Sequence, residues 1–346
     1  MLSRRILAIL IGFAALPAQS LPAQAEVGFR EIELPGPRPL HVAIWYPTTP
    51  GVSERLVADN PVFVGFNATP GAPVAPGAHR LVVMSHGYGG SWANLGWLGA
   101  ALAQRGFVVA APNHPGTTTR DMAGSGDAVL AERPRDLTRV IDAVLATPDL
   151  AATVDDISVV GHSLGGWTGV TLVGGRFDPA VFRSACRADP AALTCAEVQG
   201  RNAGIAPAAS GISGTDARVT RLVALDPGVT RGFTPASLAA ITTPTLVIAA
   251  GTPAPVTPGL RPLPTPDMRE SADLVGHMAA RARLLTIADA NHFSFLAACK
   301  PGAAAMIAAA NPAEGVICAE AQRPRAAIQA QVIDVVASFL AEPARR

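Results

Sequence analysis

Between Val159 and Gly166 the chain reads Val-Val-Gly-His-Ser-Leu-Gly-Gly, and this junction limits the folds open to it more than any other stretch. The run 157–160 is short and, apart from Ser158, apolar and β-branched, as a strand buried on both faces must be. Residues 164–173 suit a helix. A serine set between the two sits on a sharp turn, where Gly161 and Gly165 are small enough to let strand and helix approach. Ordinary glycine-rich turns share the pattern Gly-x-Ser-x-Gly, so its chemistry depends on partners elsewhere.

The same strand-to-helix alternation recurs along the chain. A hairpin is expected from 29–34 and 40–47 around Pro35-Gly36-Pro37, followed by a long surface loop over 48–78. Strand 80–85, helix 92–105 and strand 107–111 make a βαβ unit, with Gly106 as the helix stop. After a loop over 113–133, the spacing of Leu137, Val140, Ile141, Val144 and Leu145 predicts a helix over 134–146 with proline in its first turn. Residues 176–218 break the rhythm and read as an insertion that could cover a site as a lid. Strands then return at 221–226, 245–250 and 283–287, separated by helices near 235–240 and 268–280, and a helix over 326–340 closes the chain. This order predicts an α/β fold with a mostly parallel central sheet and helices on both faces.

Composition supports one large core, since 49% of residues are hydrophobic and 15% charged in a chain of 346. A net charge of +1 carries no nucleic-acid footprint. The start, Met1-Leu2-Ser3-Arg4-Arg5, an apolar run over 6–16 and Ala23-Gln24-Ala25, has the parts of a secretory signal peptide cleaved after Ala25, too short to span a bilayer comfortably. The expected location is therefore periplasmic or secreted, with no membrane span left after cleavage. Export allows disulfides, and the closeness in sequence of Cys186 to Cys195 and of Cys299 to Cys318 favours two local bridges out of three possible pairings. Their spacing fits no tight metal motif, and neither metal nor cofactor is expected.

A serine hydroxyl becomes a useful nucleophile only when a histidine takes its proton and a carboxylate orients that histidine. His292 directly follows the last expected strand, whereas its one competitor after Ser163, His277, lies inside an expected helix. For the acid, the segment after Ala250 reads Gly-Thr-Pro-Ala-Pro and offers no carboxylate, while Asp226 ends its strand in Leu-Asp-Pro-Gly, with Asp267 in reserve beyond a proline-rich connection. The order serine, acid, histidine, each after a strand, is that of α/β-hydrolases with a nucleophile elbow. Charge on an acyl oxygen needs fixed donors, for which the backbone N–H groups of Leu164 and of Tyr88, in the turn His86-Gly87-Tyr88, are placed. His86 and His162 flank these turns as structural hydrogen-bonders.

The strand Leu81-Val82-Val83-Met84 with Ser85-His86-Gly87-Tyr88-Gly89, the elbow Gly161 to Gly166, Ala224-Leu225-Asp226-Pro227 and the leading Ile44-Trp45-Tyr46-Pro47 together resemble the platelet-activating-factor acetylhydrolase type of α/β-hydrolase. Bacterial proteins of this type are often labelled predicted dienelactone hydrolases, although dienelactone hydrolases proper use a cysteine where this chain has Ser163. The resemblance implies an α/β-hydrolase catalytic domain over 26–346, with the acid at Asp226. It further implies a serine carboxylic-ester hydrolase acting on small-molecule or lipid-like, short-acyl esters. A peptidase or amidase using the same triad and a non-catalytic binding protein of the same fold are the alternatives. Trp92, Trp97 and Trp167 are candidates for an acyl pocket or for helix core.

Overall fold

Along the central strands successive side chains turn to opposite faces, and here both faces are apolar, so each must be covered by helices. The computed structural model describes residues 25–49, 53–122, 127–151, 154–190, 192, 194–195, 211–260, 262–263, 265–267, 269–278 and 280–343. The expected leader and its cleavage site fall outside the described residues apart from Ala25. Among those described, ten strands are found: β1 (Glu26–Leu34), β2 (Leu40–Thr48), β3 (Arg55–Val57), β4 (Phe66–Pro70), β5 (His79–Ser85), β6 (Val108–Pro112), β7 (Val154–His162), β8 (Val219–Leu225), β9 (Thr245–Ala250) and β10 (Ala282–Ile287). They lie in the order β10-β9-β8-β7-β5-β6-β2-β1-β4-β3. The six strands from β10 to β6 run parallel, and β2 is antiparallel to both β6 and β1.

Leu81 and Val83 of β5, Val159 of β7 and Leu222 and Ala224 of β8 join one core with the helix Asp127–Ala146 and the helix Leu164–Leu172. Val82, Met84, Val160, Val223 and Leu225 join the other, with the helix Gly96–Ala103 and the closing helix Arg325–Ala341. This is the mostly parallel sheet with helices on both faces that the alternation predicts, with every parallel strand ending on the same edge.

Two expectations are corrected. The segment 48–78 is not a loop throughout, because β4 pairs parallel with β1 and antiparallel with β3. Phe66 and Ala68 turn inward, Phe66 meeting Phe29 edge-on at 5.5 Å between ring centres, while the prolines that hid the strand sit at or beyond its ends. The helix expected from Pro134 begins at Asp127, which puts Pro134 inside it. Burial of Leu137, Val140, Ile141 and Val144 can offset the roughly 3 kcal/mol penalty of an interior proline.

The described part of the 176–218 insertion is built into the core. Its helix Pro179–Ala188 buries Phe182 and Cys186, and Phe177 bridges to Ile212 and Phe233. Cys186 and Cys195 are bonded with Cα atoms 5.3 Å apart, as are Cys299 and Cys318 at 5.6 Å, in the local pairing the spacing suggested. No helix among the described residues is long and apolar enough to cross a membrane.

Candidate active site

Ser163 leaves β7 with φ 55° and ψ −119°, a positive-φ conformation that a non-glycine residue adopts at a cost of about 1–3 kcal/mol. Its backbone is held there: its N–H donates to Leu225 O at 2.9 Å, and its carbonyl accepts from Trp167 N at 3.2 Å and Gly228 N at 3.3 Å. The elbow packs closely enough to demand its glycines, since a Cβ on Gly161 would overlap the carbonyl of Gly165, and one on Gly165 the carbonyl of Ser85. The Ser163 turn is thereby fixed against β8 on one side and the end of β5 on the other.

Asp226, one residue past β8, also takes a positive φ of 42°. Its N–H donates to Ile248 O at 2.7 Å, and its Oδ1 accepts from Ala250 N at 2.9 Å, both on neighbouring β9. Its Oδ2 lies 2.6 Å from His292 Nδ1. His292 opens a short 3₁₀ turn, His292–Phe295, whose start is pinned by Asn291: its side-chain oxygen accepts from Phe293 N at 2.9 Å and its N–H donates to Ser294 Oγ at 3.0 Å. Both partners are buried, Asp226 at 6% and His292 at 5% exposure. With Nδ1–H donating a hydrogen bond to the carboxylate, the ring's lone pair lies on Nε2.

The reserve candidates lie elsewhere. Asp267 pairs with Arg231 and accepts from Arg269 N at 2.8 Å and Glu270 N at 3.1 Å, and His277 is exposed at a helix end with Nδ1 2.7 Å from Asp273 O.

The turn after β5 touches the elbow. A Cβ on Gly87 would stand 3.2 Å from Ser163 Cβ and 3.4 Å from His162 Nδ1. Tyr88 follows in that turn with 41% exposure, and Met122, 40% exposed, meets the next residue, Gly89. His86 bonds Gly87 O at 2.7 Å through Nδ1 and accepts from His114 N at 3.1 Å through Nε2. His162 places Nε2 3.1 Å from His292 O. Burial first, then neighbouring Arg133 and His114 for His86 and His292 for His162, hold both imidazoles well below the usual histidine range, so both are neutral hydrogen-bonders. Trp167 and Trp92 are core residues, packed on Phe233 and on Phe29 and Trp45, and Trp97 donates to Phe295 O at 3.2 Å.

Two neighbours of this site carry little sequence signal. Gly228 places no side chain beside Ser163: a Cβ there would lie 3.7 Å from Ser163 Oγ and 3.6 Å from Pro266 Cγ. Arg133 is fully buried behind the β5 turn, although in Glu-Arg-Pro-Arg it reads as one more surface charge. For Gly228 the adjacency to Asp226-Pro227 was a signal. For Arg133 there was none.

Comparison with known proteins agrees with this fold. The model of a family described as "Alpha/beta hydrolase family" matches residues 82–305, from β5 through the 3₁₀ turn that begins at His292. The sequence matches no curated protein. Among solved structures, a ferulic acid esterase from Streptomyces cinnamoneus is similar in fold, with a TM-score of 0.61 and 22% identity over 93% of this chain and 91% of that one. With the family model spanning well over half of its length, the chain belongs to the alpha/beta hydrolase family.

Proposed function

We propose that the chain is an exported serine esterase in which Ser163 is the nucleophile, His292 the proton carrier and Asp226 its orienting acid. The observation that carries this is the 2.6 Å contact between Asp226 Oδ2 and His292 Nδ1, made at the strand ends beside a serine held in a strained elbow. Ser163 Oγ attacks the ester carbonyl and its proton passes to His292 Nε2. The resulting oxyanion is received by the amides of Leu164 and Tyr88. Collapse expels the alcohol, protonated by His292, and leaves an acyl-serine. Water, deprotonated by the same nitrogen, then releases the acid.

Two disulfides are in keeping with an oxidising compartment outside the cytoplasm. The exposed apolar side chains of Tyr88 and Met122 at the rim of the turn favour a small or lipid-like ester over a charged substrate. This accords with the platelet-activating-factor acetylhydrolase type and its short acyl groups. The fold shared with a ferulic acid esterase adds aromatic acyl esters to those worth testing.

The test is labelling by a fluorophosphonate probe with mass-spectrometric location of the adduct, together with hydrolysis of p-nitrophenyl esters from acetyl to dodecanoyl, a feruloyl ester and a matched anilide. Ser163 should carry the adduct, short esters should turn over faster than the anilide, and Ser163→Ala should lose on the order of 10⁴-fold or more in kcat. Full turnover by Ser163→Ala would overturn the assignment.

A further inference from the structure

Behind the β5 turn lies a buried cluster that at first sight repeats the active-site chemistry. Ser85 Oγ is 3.0 Å from His114 Nε2, and His114 Nδ1 is 2.9 Å from Asp136 Oδ2. All three residues are fully buried, and Ser85 Oγ accepts from Arg133 Nη2 at 3.1 Å, so this serine is closed to any substrate. The cluster's bonds lead to Arg133 instead.

Arg133 reaches four residues in three segments with one guanidinium. Nη2 donates to the carbonyl of His86 as well as to Ser85 Oγ, Nη1 donates to Thr117 Oγ1 at 2.7 Å, and Nε donates to Thr168 Oγ1 at 3.0 Å. Each contact continues toward an oxyanion donor. His86 lies two residues before Tyr88, and the carbonyl of Thr117 accepts from the N–H of Gly89, one residue after it, at 3.0 Å. Thr168 Oγ1 in turn donates to the carbonyl of Leu164 at 2.8 Å. Two amides on separate elements are thus tied to a single planar group whose fork is rigid.

We propose that Arg133 is a positioning residue that sets the spacing of the Tyr88 and Leu164 amides and so prepares the oxyanion hole before substrate arrives. The inference rests on the esterase reading above. Preorganised donors stabilise a transition state because they need no rearrangement as charge develops. A fixed positive charge behind them adds to that field. Arg133 is charged at neutral pH even though burial pulls it down to about 9. The charges facing it are Asp136 on its own helix and Arg38 across the cluster, while His86 and His114 are kept neutral by burial. Asp136 is held by Arg38, whose Nε and Nη2 stand 2.9 and 3.0 Å from its two oxygens.

The test compares kcat and KM on p-nitrophenyl acetate for Arg133→Gln, Arg133→Lys, Thr168→Val and Thr168→Ser, each checked for a native thermal transition. Arg133→Gln should lose about 10²-fold in kcat, the scale of one lost oxyanion donor, with KM within about threefold of the parent. Arg133→Lys should recover part of that loss. Thr168→Val, close in volume, should lose about tenfold in kcat by cutting the tie to Leu164, and Thr168→Ser should restore it. If Arg133→Gln does not fold, the Thr168 pair decides. Folded variants with unchanged kcat, or with a raised KM and unchanged kcat, would overturn the inference while Ser163→Ala remained inactive. Turnover by Ser163→Ala would instead remove the esterase reading itself.

Discussion

His162 Nε2 stands 3.1 Å from the main-chain carbonyl of His292, so the residue just before the elbow serine holds the backbone of the histidine paired with Asp226. The two rings lie 4.7 Å apart at an interplanar angle of 35°. Because the carbonyl can only accept, Nε2 carries the proton, and Nδ1 is left as a buried lone pair without a hydrogen-bond partner. A second imidazole thus serves the site without exchanging protons in it.

Removing this tether should slow turnover without weakening binding. His162→Leu is expected to reduce kcat by about tenfold, the equivalent of about 1.4 kcal/mol, with KM nearly unchanged. His162→Gln, which can donate to the same carbonyl, should retain most of the activity. Since burial keeps His162 neutral, neither change should add or remove an ionisation in the pH profile of kcat/KM between about pH 5 and 8. Steady-state kinetics across that range checks both points. A shifted acid limb in His162→Gln would show that the ring does titrate in the mechanism.

Asp226 uses its two oxygens for different donors, Oδ1 for Ala250 N–H and Oδ2 for His292 Nδ1. Asp226→Asn cannot satisfy both: its NH₂ must either oppose the Ala250 N–H or face the imidazole and reverse its tautomer. The structure should survive and kcat should fall by about 10³–10⁴-fold. Asp267→Asn, which alters a pair with Arg231 and a helix start, should leave kcat within about threefold. Equal losses in the two variants would count against Asp226 as the acid.

The alternation of buried strands, the elbow glycines and the strand-end places of Ser163, Asp226 and His292 were legible because each follows from a local requirement: period two, close approach, a polar residue at a strand end. β4 was not, because Pro61 and Pro70 mark its neighbourhood as loop and its pairing with β1 is a tertiary event. Pro134 misled for a related reason, its preference for a first turn being outweighed by the burial of the helix face that follows. Arg133 and Glu270 could not be found at all. Their roles come from contacts distant in sequence, and nothing beside them in the chain announces that they are buried.

Glu270 should make stability depend on pH. It accepts from Thr194 Oγ1 at 2.6 Å, beside Cys195, and from Thr230 N at 3.2 Å, with Arg231, Asp267 and Asp189 the charged groups around it. Burial first of all pushes its carboxyl from an ordinary 4.5 up to about 7, against the opposing pull of the two threonines and Arg231. The folded state therefore binds this proton more tightly than the unfolded chain. Its contribution is complete below about pH 4.5 and is lost as pH rises to about 7, a change of about 2–3 kcal/mol. Denaturant midpoints measured over that interval should fall with pH in the parent, and the fall should be shallower in Glu270→Gln. An identical slope in both would assign the dependence to other groups.

Gly228 leaves room beside Ser163, and that room should decide which acyl groups fit. Its backbone is outside the left-handed region, so a side chain there is not strained, and a first carbon would sit at ordinary contact distance from Ser163 Oγ and Pro266 Cγ. Gly228→Ala should therefore fold and hydrolyse an acetyl ester within about threefold of the parent. Gly228→Val should lower kcat/KM for butyryl and feruloyl esters by about 10- to 100-fold, the range for crowding a pocket by a few carbons, while affecting the acetyl ester far less. The control lies in the Gly228 N–H, which donates to Ser163 O at 3.3 Å. If the added side chain disturbs the elbow through that bond, all esters will lose rate by the same factor. A loss that grows with acyl size places the acyl group against Gly228, and an unchanged rate for every ester places it elsewhere.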